Sequence, residues 1–319
     1  AAGYAVRRAV RRDPRSIRQL LVRGHNEMTQ PTFENISDTA RWAAVYRARE
    51  NDRKRGLFRD PFARRLAGER GETIVADLKR QDRNEWAWVI RTYLFDDFIT
   101  GAIQEGADTI VNLAAGLDAR PYRLSLPSSL KWIEVDLPEL LAYKEGVLRS
   151  ETPKCQLERV ALDLSNRNAR RELFQRIDAR AKKALIITEG LLIYLDADGV
   201  KALAEDLAER RTFRQWVLDI ASPGLLRMMQ REFGAKLDAA RAPLKFGPPE
   251  GPQFFEQSGW RVAEVRSTLK SAAKKRRVPW WGYLFALFPD PKRPGNQPWS
   301  GICLLENVRG TASQAVRPG

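Results

Sequence analysis

Two hydrophobic periods divide the chain. From residue 36 to about residue 105, apolar side chains return at helical spacing, without a run of alternating β-branched residues. The stretch "NISDTARWAAVYRARE" starts at a Ser or Asp cap and sets Ile36, Ala40, Ala43, Ala44 and Tyr46 toward one side. "DPFARRLAG" has a proline in its first turn and a glycine after its last, the signature of a compact helix. "EWAWVIRTYLFDDFITGAIQEG" predicts a longer amphipathic helix ended at Gly106.

After Gly106 the pattern shortens. Runs rich in apolar and β-branched residues fall at 109–114, 131–136, 157–164, 184–190 and 214–220, separated by helix-length stretches such as "ARRELFQRIDARA" and "DGVKALAEDLAERR". Strands joined by helices are βαβ units, whose crossovers force parallel pairing. The expected fold is therefore a doubly wound α/β sheet. "WRVAEVRS" (260–267) and "GICLLENVR" (301–309) read as two later strands, with a proline-rich, aromatic insertion between them. The expected organisation is a basic extension over 1–27, a helical cap over 28–105 and an α/β domain over 106–319, with the insertion near 268–299.

In an open parallel sheet the ligand lies outside the carboxyl ends of the strands, so those ends matter most. The first runs into "AAGLDARP", the second stops at Asp136, the third reaches Asp163 and the fourth reaches Glu189. Asp136 follows Gly116 by 20 residues, the spacing of an acid that grips ribose hydroxyls in NAD enzymes and in adenosine sites generally. The turn itself discriminates. A dinucleotide site needs several glycines to bring backbone against pyrophosphate, whereas this turn has one glycine, with Asp118 at the start of the following helix. A carboxylate there repels phosphate, and Asp163 and Glu189 add to the acidity.

S-adenosylmethionine suits such a cleft, having ribose hydroxyls, a sulfonium, an ammonium and one carboxylate but no phosphate. Asp136 is the candidate partner of the ribose, and Asp163 with the Leu164 amide the candidate partners of adenine. Arg91 in "VIRTYLFDDF" is the candidate partner of the carboxylate. Glu189 sits in the apolar stretch "LIITEGLLIYL", where a carboxylate needs a partner or a ligand. Each residue also has a plainer explanation: a strand-terminal Asp often caps the next helix, and an Arg on an amphipathic helix is often solvated.

Composition narrows the rest. Cys155 and Cys303 are isolated, which excludes a zinc knuckle, a CxxC redox pair and a disulfide framework and fits a reducing cytoplasm. No metal is implied. The longest apolar run, "WWGYLFALF" at 280–288, falls well short of the ~20 residues of a spanning helix, so no membrane is expected. The net charge of +15 is front-loaded: residues 1–27 hold seven arginines against one Asp and one Glu. That head reads as an extension before a natural start at Met28, or as a targeting or anion-binding segment. "KKRR" reads as a solvated run, so nucleic acid is not favoured as a partner.

The motifs "ISDTARWAAVYRARE", "DPFARRLAG", "RTYLFDDF", "VNLAAGLDARPYRL", "WIEVDLPELLAYK", "ALDL" and "ITEGLLIYL" occur in the order seen in a known family. Over residues 34–220 the chain resembles the leucine carboxyl methyltransferase-like family of S-adenosylmethionine-dependent methyltransferases. The resemblance implies a class I sheet in strand order 3-2-1-4-5-7-6 with the seventh strand antiparallel, and a helical cap over the cofactor. It also implies cofactor contacts at Arg91, Gly116, Asp136, Asp163, Leu164 and Glu189. Family members often carry a second glycine where this chain has Ala115, so the turn is expected to close differently.

Methyl transfer from a sulfonium is an in-line displacement, accelerated chiefly by positioning the acceptor. A base is needed only when the acceptor must lose a proton. The single histidine, His25, lies in the basic head, so no histidine base is available in the core. That favours a carboxylate or an acidic hydroxyl as acceptor, on a small molecule or a peptide, and leaves the catalytic residue unassigned. Tyr194 is a candidate to face the acceptor, against the alternative of core packing. Trp280, Trp281, Tyr283, Phe285 and Phe288 are candidates for an apolar acceptor wall, against packing of the last crossover. An NAD(P)-type oxidoreductase is the rival on the same fold, and a non-enzymatic anion- or RNA-binding protein the rival from another class.

Overall fold

Strands β1 (Thr109–Leu113) and β4 (Ala184–Thr188) are buried at every position, as continuous apolar runs in the middle of a parallel sheet must be. The computed structural model describes residues 32–78, 85–290 and 295–311. The chain divides into a unit of Ala1–Thr32 and a second unit of Phe33–Gly319, and the fold described is that of the second. The extension expected over residues 1–27 lies outside the described residues.

With β2 (Lys131–Asp136), β3 (Gln156–Ala161), β5 (Phe213–Ala221), β6 (Trp260–Ser267) and β7 (Ser300–Asn307), the strands form one sheet in the order 3-2-1-4-5-7-6. The first five are parallel, and β7 runs antiparallel to both β5 and β6. Among the described residues three helices precede the sheet: α1 (Ser37–Asp52), α2 (Ala63–Leu78) and α3 (Glu85–Gln104). The crossovers carry α4 (Arg120–Arg123), α5 (Pro138–Leu148), α6 (Arg167–Asp178), α7 (Ala197–Ala208) and α8 (Pro223–Ala239). Between β6 and β7 lie α9 (Thr268–Lys274) and α10 (Trp280–Ala286), and α11 (Val308–Thr311) follows β7.

Alternate strand residues feed opposite layers. Val111, Leu113, Ile133, Val135 and Ile186 pack against Leu173 and Phe174 of α6 and Leu203 and Leu207 of α7. Ile110, Trp132, Leu185, Ile187 and Val217 face the other way, onto Ile90, Leu94, Phe95 and Phe98 of α3. The third of the helices ahead of the sheet is thus one of its covering layers. Trp42, Val45 and Tyr46 of α1 join Leu66 and Ile74 of α2, Leu117 of the first turn and Phe233 of α8 in a separate apolar cluster. That cluster brings α1 over the carboxyl ends of the strands.

Local chemistry sets the boundaries. The side chains of Asn166, Asp196 and Ser222 accept from the amides of Ala169, Gly199 and Leu225, capping α6, α7 and α8. The cap of α1 falls earlier than the sequence suggests: Asn35 Oδ1 accepts from the Ser37 amide, and Asp38 Oδ2 accepts from Glu34. Gly68, at φ 62°, interrupts α2 where "DPFARRLAG" predicted a helix end. Strand β3 stops at Ala161, short of the expected 164, which puts Asp163 in the loop beyond it. No helix of the described residues is long and apolar enough to cross a membrane.

Candidate active site

At the carboxyl ends of β1, β2, β4 and β5 lies a cleft of about 1220 Å³. Arg91, Gly116, Asp136, Asp163, Leu164 and Glu189, the six residues singled out from sequence, all border it. The volume exceeds the several hundred Å³ typical of a single small-ligand pocket and leaves room for two molecules side by side.

The turn after β1 sets the floor. Gly116 stands at φ 50°, and a Cβ there would come within 3.3 Å of Ala40 Cβ on α1. The bare glycine therefore serves both a left-handed backbone and the approach of the cap helix. The second left-handed residue of the turn is Ala114, at φ 54°, and not Ala115. Ala115 donates its amide to the Val135 carbonyl at 3.2 Å, so the expected departure at 115 is absorbed one residue earlier.

Asp136 leans back on this turn. Its Oδ2 accepts from the Gly116 amide at 2.6 Å and its Oδ1 from the Leu137 amide at 2.7 Å. Burial raises its pKa, only partly offset by those two amides. Each oxygen keeps a lone pair, so the carboxylate can accept two further bonds from neighbouring hydroxyls. Asp163 is exposed, and its Oδ1 accepts from the Ser165 amide at 2.9 Å.

The opposite wall is an ion network. Arg91 donates Nε to Glu189 at 3.1 Å and Nη1 to Asp219 at 3.4 Å, while its guanidinium lies 4.5 Å from the Trp88 ring centroid. The other Glu189 oxygen accepts from Arg120 Nη1 at 2.8 Å. Arg120, fully buried, also donates to Asp96, Asp118 and the Thr92 carbonyl. Gly190 makes the packing possible: at φ 70° its amide donates to Asp219 at 2.7 Å, and a Cβ would sit 3.2 Å from Arg91 Nη1.

These pairings revise one expectation and show Arg91 already paired. Asp118 does not present its charge to the cleft as a deterrent to anions. It accepts from Asn112 Nδ2 at 2.9 Å and from Arg120 at 2.8 Å. Burial would raise its pKa, but Arg120, Lys144 and Arg123 outweigh it and hold the carboxyl at about 2. Arg91 is no free cation either. Burial likewise opposes the charge on Glu189, and the Arg120 and Arg91 guanidiniums overcome it, so Glu189 is lowered and ionised. Asp219 is raised by burial despite Arg91. With Asp96 and Asp60 matched by Arg123 and Arg47, the carboxylates still outnumber the guanidiniums by one, which keeps a cationic ligand favoured.

Sequence reasoning missed Arg120 and Asp219. Both were visible in kind: Arg120 follows Asp118 in the first turn's own motif, and Asp219 is another carboxylate near a strand end. Tyr194 borders the cleft from a 3₁₀ turn, Leu192–Tyr194, rather than from a strand, and Thr39 of α1 borders the same cleft. Burial raises its pKa, so it is a protonated phenol at neutral pH. Of the aromatic insertion, Phe285 and Phe288 border the cleft; Trp280 and Tyr283 lie outside its lining and are exposed. Among the described residues no group of three or more His, Cys, Asp or Glu could hold a metal ion.

A 3-2-1-4-5-7-6 sheet with its cleft over a one-glycine turn and a strand-end acid defines the class I methyltransferase fold. Known proteins agree. A DUF574 family protein of Streptomyces avermitilis has a crystal structure that superposes with TM-score 0.53 at 12% identity, covering 84% of this chain and 97% of that one. The crystal structure of a candidate methyltransferase from Thermobifida fusca superposes equally, at 15% identity over 86% of this chain and 96% of its own. The leucine carboxyl methyltransferase family profile matches residues 40–208. A Frankia alni protein named as a candidate S-adenosyl-L-methionine-dependent methyltransferase is 31% identical over 256 residues, 75% of this chain and 88% of its own length. A Mycobacterium tuberculosis protein of the same description is 33% identical over 77% of this chain and 86% of its own. The chain belongs to the leucine carboxyl methyltransferase family of S-adenosylmethionine-dependent methyltransferases.

Proposed function

We propose that the chain transfers the methyl group of S-adenosylmethionine to the oxygen of a carboxylate or acidic hydroxyl on a small molecule or peptide. In this reading Asp136 accepts the ribose hydroxyls on the lone pairs its two amide partners leave free. Asp163 and the Leu164 amide meet the adenine edge. Arg91 Nη2, unused by Glu189 or Asp219, takes the methionine carboxylate, and Glu189 holds Arg91 in place while adding negative charge opposite the cationic groups. The cofactor, when bound, supplies an electrophilic methyl on a sulfonium; the chain's part is to align an acceptor oxygen with it and exclude water.

The observation that favours an anionic acceptor is a pair of uncompensated cations. Arg241 and Lys245 border the cleft on the loop after α8, are exposed, and have no side-chain partner among the described residues. Glu232, on the same wall, is already engaged. Every cation beneath the first turn is paired, so these two are the charges available to an incoming anion. Around them the lining is apolar, with Met228, Phe233, Leu244 and Phe246, which suits an acceptor with an apolar body.

The test is chemical. Incubated with cofactor labelled in its methyl group and a panel of aryl and alkyl carboxylic acids, the protein should form a product whose label mild base releases as methanol, the behaviour of a methyl ester. Arg241→Ala with Lys245→Ala should raise the acceptor KM by about tenfold or more while leaving cofactor affinity unchanged. Base-stable label, or an unchanged KM, would refute the carboxylate acceptor or the role of the two cations respectively.

A further inference from the structure

Among the described residues, the largest concentration of exposed apolar side chains lies on one short segment. Trp280 is 77% exposed, Leu284 56%, Phe285 60%, Leu287 81% and Phe288 66%, with Tyr283 beside them. Soluble surfaces carry single apolar residues freely, but a contiguous patch of this kind marks a contact. The patch is continuous with the cleft, because Phe285 and Phe288 belong to both, and Met228 and Ile36, also exposed, lie on the cleft's border.

Its surroundings select the occupant. Residues 274–288, "KKRRVPWWGYLFALF", hold four cations and no acid. Arg277 is committed to Glu50, and Lys275 lies over the Tyr93 ring, but Lys274 and Arg276 are exposed and without a side-chain partner among the described residues. Asp290, the nearest acid in sequence, pairs with Lys270. A second copy of the chain would set this basic segment against itself across a two-fold axis, which like charges oppose. Residues 1–27, with seven arginines to two acids, match the charge of the patch instead of complementing it. An anionic lipid surface complements both halves: it takes the apolar side chains into the acyl boundary, holds Trp and Tyr at the headgroup level and pairs with Lys274 and Arg276.

We infer that α10 with Leu287 and Phe288 is a lipid-docking face, which seats the protein on anionic membranes with the mouth of its cleft beside the bilayer. No spanning segment is involved, so the short apolar run that ruled one out is the feature that docks. The inference stands apart from the chemistry of the acceptor.

Sedimentation of the full chain with vesicles tests it. The protein should pellet with phosphatidylglycerol–phosphatidylcholine vesicles and stay in solution with phosphatidylcholine alone. Leu284→Asp with Leu287→Asp, both exposed, should lower partitioning at least about tenfold while melting temperature and S-adenosylhomocysteine affinity stay unchanged. Three results would overturn the inference: no pelleting of the wild type, a double variant that pellets equally and so binds by charge elsewhere, or a dimer in light scattering that the double variant dissolves. Loss of S-adenosylhomocysteine binding with vesicle binding intact would instead count against the methyltransferase site.

Discussion

Arg120 is the residue on which the cleft's electrostatics turn. Buried and ion-paired to Asp96, Asp118 and Glu189, it keeps Asp118 and Glu189 charged where burial alone would neutralise them. Arg120→Leu should destabilise the chain by about 3–5 kcal/mol, measurable by denaturant titration, because it leaves buried charge unpaired. The same network fixes the acid response. Asp118 and Glu189 are lowered in the folded chain, so their stabilisation is full above the ordinary carboxylate range and is lost as pH falls through it; for Asp118 the loss runs from 3.8 toward about 2. Glu134, Asp136 and Asp219 are raised by burial, so protonating them on the way down from neutral relieves a cost. Melting temperature should therefore peak at mildly acidic pH and then drop steeply below about 4, a profile that calorimetry across pH reads directly. A monotonic fall from pH 7 would contradict these pairings.

At the scale of elements, β1 and β4 were legible because burial on both faces leaves short, mostly apolar runs, and β2 and the edge strand β6 also fall where the pattern set them, at 131–136 and 260–267. The end of β3 was not, since its apolar run continues through Leu162 and Leu164 after pairing stops at Ala161. Helix α10 was hidden for a different reason: the large apolar side chains described on it, Trp280, Tyr283, Leu284 and Phe285, are exposed, so they carry no core-facing period. Asp136, Asp163 and Glu189 could be found from sequence because strand order forces their ends together. The pairing of Glu189 with Arg91 and Arg120, and of Arg91 with Asp219, could not, because these residues come from separate elements that only the folded chain brings within bonding distance.

Over the whole molecule, a basic chain encloses an acidic pocket. A net charge of +15 would suit polyanions, yet beneath the turn after β1 the guanidiniums are spent on carboxylates, and cations without a side-chain partner among the described residues, Arg241 and Lys245 on the cleft and Lys274 and Arg276 beside α10 among them, lie farther out. In the proposed reading, that separation suits a cationic cofactor in the depth of the cleft and an anionic acceptor at its mouth. Calorimetric titration of the full chain with S-adenosylhomocysteine tests the claim most directly. We expect one-to-one binding that Asp136→Ala abolishes in a chain that still melts cooperatively, and no heat from NADH. Binding of NADH without S-adenosylhomocysteine, or an affinity indifferent to Asp136, would contradict it.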